Sequence, residues 1–207
     1  ATGEFLLGKP FVKTTWAKEI GPDRRPLLLP DQEPAEAGTL TCPGDLGGTN
    51  FMSPSFDPLR GLFFVTARET CGRIFTQPVG KLKMGSRTMG GRAQGIAQLR
   101  WGALRALDPL TGAARWEVQY RRPGWAGVLS TVTGLVFSAD DRGKFMAVDA
   151  ETGRQLWQHE MGQNMRAAPL TFIPHSETPP VATYCARNTF VSAVSAGSVP
   201  NSAASDC

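Results

Sequence analysis

The sequence predicts an all-β fold assembled from propeller blades, and three observations carry that expectation. The first is a turn written twice. Ala106-Leu107-Asp108-Pro109-Leu110-Thr111-Gly112-Ala113-Ala114-Arg115-Trp116 returns 41 residues later as Ala147-Val148-Asp149-Ala150-Glu151-Thr152-Gly153-Arg154-Gln155-Leu156-Trp157. The shared skeleton is Ala-x-Asp-x-x-Thr-Gly-x-x-x-Trp, and a strand-filled period of about 40 residues is that of a propeller blade. The second is composition: 207 residues with 23 Gly, 16 Pro and 41% hydrophobic content favour many short strands over long helices. The third is the stretch from Gly127 to His159, where four apolar runs are separated by turn residues at Gly134, Asp140-Asp141-Arg142-Gly143 and Thr152-Gly153. Four strands in about 40 residues make one blade.

Each copy of the repeat reads as strand, tight turn, strand. The Asp and Thr side chains are suited to bond turn amides, and Gly supplies the positive φ that closes the hairpin. Trp lies four residues past that Gly. A large ring there covers the join between neighbouring blades, its indole N–H directed to a backbone carbonyl.

Taken in order, Ala1-Thr2-Gly3-Glu4-Phe5-Leu6-Leu7 contains half a copy of the turn, with Thr2-Gly3 in place and Leu7 at the Trp position. The expectation is a chain that begins inside a blade. Phe11 to Gly38 carries Pro22, Pro26, Pro30 and Pro34, and reads as a long surface connection without regular structure, anchored by Trp16. Residues 39–101 are expected to form a blade with a long loop. In it, Gly47-Gly48 bends the backbone and presents Asn50 at a strand entrance, and Ser55 to Ala67 forms a hairpin of two inner strands. Asn50 is equally suited to cap its own turn. Arg68 to Trp101 reads as outer blade plus loop. Residues 102–124 are the outer strands bearing the first repeated turn, and 125–160 the complete blade bearing the second. Residues 161–207 are an incomplete last blade, with Ala167 to Ile173 pairing with Asn188 to Gly197, followed by a loose polar tail.

A net charge of +4 and a pI near 9.1 are modest. The basic residues between Lys81 and Arg105 lack an accompanying array of stacking aromatics, so a nucleic-acid surface is not expected. Four cysteines at 42, 71, 185 and 207, with two histidines and no C-x-x-C, argue against zinc. A Cys42–Cys71 disulfide is conceivable in an oxidising compartment and is left open by the sequence. No apolar run approaches a membrane span, and no signal peptide is evident. Gly47-Gly48 is not a phosphate loop, since neither a following helix nor Gly-Lys-Ser/Thr completes it.

Four segments together resemble one family. They are Gly3-Glu4-Phe5-Leu6-Leu7-Gly8-Lys9-Pro10-Phe11, Gly47-Gly48-Thr49-Asn50-Phe51-x-Ser53-Pro54-Ser55, Gly102-Ala103-Leu104-Arg105-Ala106-Leu107-Asp108-Pro109, and Trp125-Ala126-Gly127-Val128-Leu129-Ser130-Thr131. Their order is that of the C-terminal part of pyrroloquinoline-quinone-dependent alcohol dehydrogenases, quinoproteins built on an eight-bladed propeller with tryptophan-docking motifs. The resemblance implies about three to four of the eight blades and a periplasmic location. It also implies a quinone in the central channel, a calcium or lanthanide ion polarising its carbonyl, and an aspartate base acting on the alcohol. Carried over by motif, Asn50 bonds the cofactor, Trp125 contacts it, Phe51 stands where the family often has Trp, and Ala196-Gly197 approaches its rim.

The departures bear on function as much as the matches. The adjacent cysteine pair, the metal-binding Glu and Asn and the catalytic Asp belong to earlier blades absent from this sequence. There is also no C-x-x-C-H haem site. The expectation is therefore a fragment holding part of the quinone wall, inactive alone towards alcohols, with the missing N-terminal blades as partner. The alternative is a non-catalytic propeller scaffold, like the outer-membrane assembly lipoproteins that share the repeated Trp motif.

Overall fold

The computed structural model describes residues 2–77, 84–85, 90–171, 181–184 and 190–192. Strands come in antiparallel sets that follow chain order. A two-stranded hairpin, β1 (Ala17–Ile20) and β2 (Pro26–Leu28), stands first, followed by β3 (Thr39–Thr41). Next come β4 (Ser55–Asp57), β5 (Leu62–Thr76), β6 (Gly91–Leu107) and β7 (Ala114–Tyr120), which pair successively in one sheet. The strands β8 (Leu129–Ser130), β9 (Leu135–Ala139), β10 (Lys144–Asp149) and β11 (Gln155–Glu160) form a second four-stranded meander. A third sheet holds β12 (Pro169–Thr171), β13 (Val181–Tyr184) and β14 (Phe190–Ser192). Among the described residues no helix is long and apolar enough to cross a membrane.

The core lies between sheets, as the alternation of strand side chains demands. Leu62 and Phe64 of β5, Leu104 and Ala106 of β6 and Tyr120 of β7 face Val136 of β9 and Met146 and Val148 of β10. The opposite side of the second sheet presents Phe137, Phe145 and Ala147, covered by Met165 and flanked by Trp157 and Met161. Each such side chain contributes about 1.5–3 kcal/mol when fully buried, and neither sheet has another apolar layer of its own to bury it.

Both repeated turns have the same wiring. Asp108 Oδ1 accepts the amides of Leu110 and Thr111, and Asp149 Oδ1 accepts those of Glu151 and Thr152. Thr111 and Thr152 hydroxyls each accept the amide two residues on, at 3.3 Å. Gly112 and Gly153 adopt φ of 74° and 70° and donate back to the carbonyls of Asp108 and Asp149. The indole Nε1 of Trp116 donates to Ala150 O across 2.9 Å, and its ring lies flat enough on Gly153 that a Cβ there would come within 2.6 Å. Gly112 is covered in the same way by the side chains of Lys9 and Leu7, so the half-copy at the start of the chain behaves as Trp116 does.

Four expectations change. Residues 11–38 contain the β1–β2 hairpin, because Gly21 and Arg25 close a turn in which Arg24 takes φ 67°, and Pro26 is accommodated at the first position of β2, opposite Ile20, where a strand tolerates proline. Within the segment 68–101, β5 and β6 run on as a ribbon in which the outer half of β6 is exposed on both faces, leaving no apolar alternation to read there. Arg92 covers Phe75 there at 3.8 Å, and Arg73 donates to Gly38 O. The innermost strand of the second sheet shrinks to Leu129–Ser130, since the amides of Gly127 and Val128 donate to Ala167 O and Ser53 O in the flanking sheets. The partner of Pro169–Thr171 is Val181–Tyr184, with Phe190–Ser192 third in line.

Candidate functional site

Three strand entrances meet at one place. Gly127, two residues before β8, packs so tightly that a Cβ would approach Ala168 Cβ at 2.7 Å and Ser53 Oγ at 2.8 Å. Ser53 precedes β4 and Ala168 precedes β12, so the innermost strands of three consecutive sheets begin side by side. Ser55 and Ser130 hydroxyls bond at 2.7 Å just inside. The residues three or four positions ahead of these strands are Phe51, Trp125 and Arg166. The fold thus gathers one side chain from each entrance.

Trp125 is the centre of the group. Phe51 lies nearly parallel to it, with centroids 5.5 Å apart and planes at 13°, an offset stack. The Arg68 guanidinium sits 3.7 Å from the centre of the Trp125 ring, and that of Arg166 lies at 5.7 Å. The segment under the Trp is clamped at successive carbonyls. Arg68 Nη1 donates to Gly124 O, Thr66 Oγ1 to Ala126 O and Ser138 Oγ to Gly127 O. Because Thr66 and Arg68 are two apart on β5, they point to the same face and hold alternate residues of the loop.

Arg68 is the unusual member. It is 1% exposed, forms no ion pair among the described residues, and its Nε has no hydrogen-bond partner. Burial, and secondarily the positive charge of Arg100, pull its affinity for the proton below the ordinary arginine value, with Asp45 opposing. A buried cation without a carboxylate is costly, and an aromatic face recovers only part of the lost hydration. Thr49 Oγ1, in the adjoining loop, is a second buried polar atom without a partner.

Asn50 has a structural task. Its Nδ2 donates to Leu46 O at 3.1 Å and its Oδ1 accepts the Phe51 amide at 2.9 Å, which ties the Gly47-Gly48 loop to the strand entrance. One donor and one acceptor position of the exposed amide remain open. Phe51 is 60% exposed, so its outer face is an open aromatic surface. Of the residues singled out in the sequence, Asn50, Phe51 and Trp125 are brought together, and Gly197 lies outside the described residues. Arg68 and Arg166 were not singled out, because neither belongs to the repeat. A basic residue placed just ahead of an innermost strand is the one signal that would have found Arg166.

A planar anion with polar edges suits this donor set: aromatic faces, two guanidiniums and an amide edge. A metal ion does not, since among the described residues no three His, Cys, Asp or Glu side chains gather closely enough to hold one.

Residues 100–172 match a family described as outer membrane protein assembly factor BamB. The lanthanide-dependent methanol dehydrogenase of Methylacidiphilum fumariolicum is 32% identical over 191 residues, taking in 88% of this chain. A quinoprotein ethanol dehydrogenase of Pseudomonas aeruginosa is 34% identical over 189 residues and 86% of the chain. In structure, a europium-containing methanol dehydrogenase superposes with a TM-score of 0.81 at 31% identity, over 89% of this chain and 33% of that one. The chain matches a partial propeller of the quinoprotein alcohol dehydrogenases. It spans 31% and 30% of the length of the two dehydrogenases compared by sequence. The succession of antiparallel sheets β4–β7, β8–β11 and β12–β14 is that of a partial propeller.

Proposed function

We propose that this chain supplies part of the quinone-binding wall of a pyrroloquinoline-quinone-dependent alcohol dehydrogenase, in which hydride passes from an alcohol to the quinone. The observation that carries the reading is the meeting of Phe51, Trp125 and the unpaired, buried Arg68 where three blade entrances converge. In this reading Trp125 and Phe51 offer aromatic contact, and Asn50 offers its free amide donor to a cofactor oxygen. When bound, the quinone supplies the hydride acceptor. The residues here hold and orient it, and they shield one side from water. Calcium or a lanthanide, the adjacent cysteines and the aspartate base are assigned to preceding blades, which are also the proposed partner. The divisions at residues 38, 124 and 160 are the proposed blade boundaries, and that at 101 separates the looped part of one blade, 39–101, from its outer strands, 102–124. A periplasmic setting is part of the same reading, supported by the Cys42–Cys71 disulfide.

The test is titration of the purified chain with pyrroloquinoline quinone, followed by quenching of tryptophan emission. Quenching by the native chain, weakened in Asn50→Ala and changed in amplitude in Trp125→Phe, is the expected result. Alcohol oxidation is expected to be absent even with quinone and calcium or a lanthanide, and turnover of any alcohol would overturn that part. A non-catalytic scaffold is the second reading, favoured by the assembly-factor family match over residues 100–172. It requires that quinone leave the emission unchanged.

A further inference from the structure

The quinone reading does not by itself say which quinones the wall accepts. We propose that Arg166 is the group that recognises a carboxylate on the bound quinone, so that this wall selects an acidic quinone over a neutral one. The inference rests on the quinone reading above and adds the charge requirement.

Position is the first argument. Arg166 occupies in the third blade the place that Phe51 and Trp125 occupy in the first and second, just ahead of the innermost strand. Its backbone is fixed from both sides. Met165 is 1% exposed within the apolar layer of Ala126, Phe137 and Phe145, and Ala167 O accepts the Gly127 amide. The side chain therefore leaves a rigid base, pointed at Trp125, with its guanidinium carbon 5.7 Å from the ring.

Availability is the second. Arg166 is exposed and takes no part in an ion pair among the described residues, while Arg60 and Arg105 are each committed to two carboxylates. A planar guanidinium fork with no hydrogen bond to another described residue matches a carboxylate bidentately. The field is the third. Arg68, buried behind the same Trp and in no ion pair among the described residues, adds a second positive charge; Arg100 reinforces it and Asp45 offsets part of it. Low dielectric around Arg68 lengthens the reach of that charge to an anion over the ring. A neutral quinone gains the aromatic contact alone.

The experiment uses the full chain with two probes, pyrroloquinoline quinone as the tricarboxylate and its trimethyl ester, each followed by tryptophan quenching. Arg166→Gln is expected to weaken binding of the acid by roughly tenfold, as for one charge-assisted contact, and Arg166→Lys to recover part of it. Arg154→Gln, an exposed arginine on the far turn, removes the same net charge and should leave affinity unchanged. The native chain should bind the ester more weakly than the acid, and Arg166→Gln should not alter ester binding. Equal affinity of native chain for acid and ester, or an unaltered Arg166→Gln, overturns the inference and leaves the quinone reading standing. Quenching by neither probe overturns both.

Discussion

The contact of Trp116 with Gly153 lends itself to a double-mutant cycle. Gly153→Ala adds two costs at once: a left-handed φ of 70° and a Cβ placed 2.6 Å from Trp116 Cε3. The backbone part is about 1–2 kcal/mol for a non-glycine residue, and pushing the ring off its seat adds about 1–3 kcal/mol as overpacking does. Trp116→Ala removes a half-buried aromatic and leaves Ala150 O without its donor, a loss of about 3–5 kcal/mol for a full core position and towards the lower end here. With the ring already gone, Gly153→Ala meets only the backbone cost. The two changes are therefore expected to be less damaging together than their sum, by at least about 1 kcal/mol. Trp116→Phe isolates the indole bond and should cost about 1 kcal/mol. Urea unfolding of the four proteins reads the cycle from midpoints at constant slope. Additivity within about 0.5 kcal/mol would refute the claim that this ring sits on this turn.

Two further outcomes follow from other parts of the fold. Reducing the Cys42–Cys71 bond, which closes a separation of 29 residues, should lower stability by about 3.6 kcal/mol on loop entropy alone. Unfolding curves with and without reductant that differ by less than about 1 kcal/mol would refute it. The Thr152 hydroxyl and amide hold the Asp149 carboxyl below its ordinary range. Its folded value thus lies below the unfolded one, so the stabilisation is full above the ordinary carboxylate value near about 3.9 and is lost as pH falls through the folded value. Asp149→Asn should flatten the acid limb of a stability profile, and an unchanged limb would overturn the assignment.

How much was legible in the sequence depended on how local the cause was. The repeated turns could be read bond by bond, because Asp108 and Asp149 act on amides two and three residues away and Gly112 and Gly153 close the same turns. The destination of the Trp116 indole was legible in kind, a backbone carbonyl next door, while Ala150 itself appeared only with the structure. Asn50 and Trp125 came from family resemblance, and Phe51 with them. Arg68 was beyond reach: it joins Gly124 across 56 residues of chain, and no periodicity relates a strand residue to a loop in the following blade. The outer half of β6 escaped for the opposite reason, since a strand wet on both faces carries no alternating pattern.

The seating of Leu7 and Lys9 on Gly112, and of Trp116 on Gly153, always runs from an earlier blade to a later one. Such a stack has a polarity, like roof tiles laid in one direction. Taking away a blade on the low-numbered side uncovers the glycine turn of its successor, whereas taking one from the high-numbered side uncovers none of the turns that remain. Truncations from the two sides are therefore unequal perturbations, and cooperativity along the array is handed forward through the chain instead of being shared evenly between neighbours.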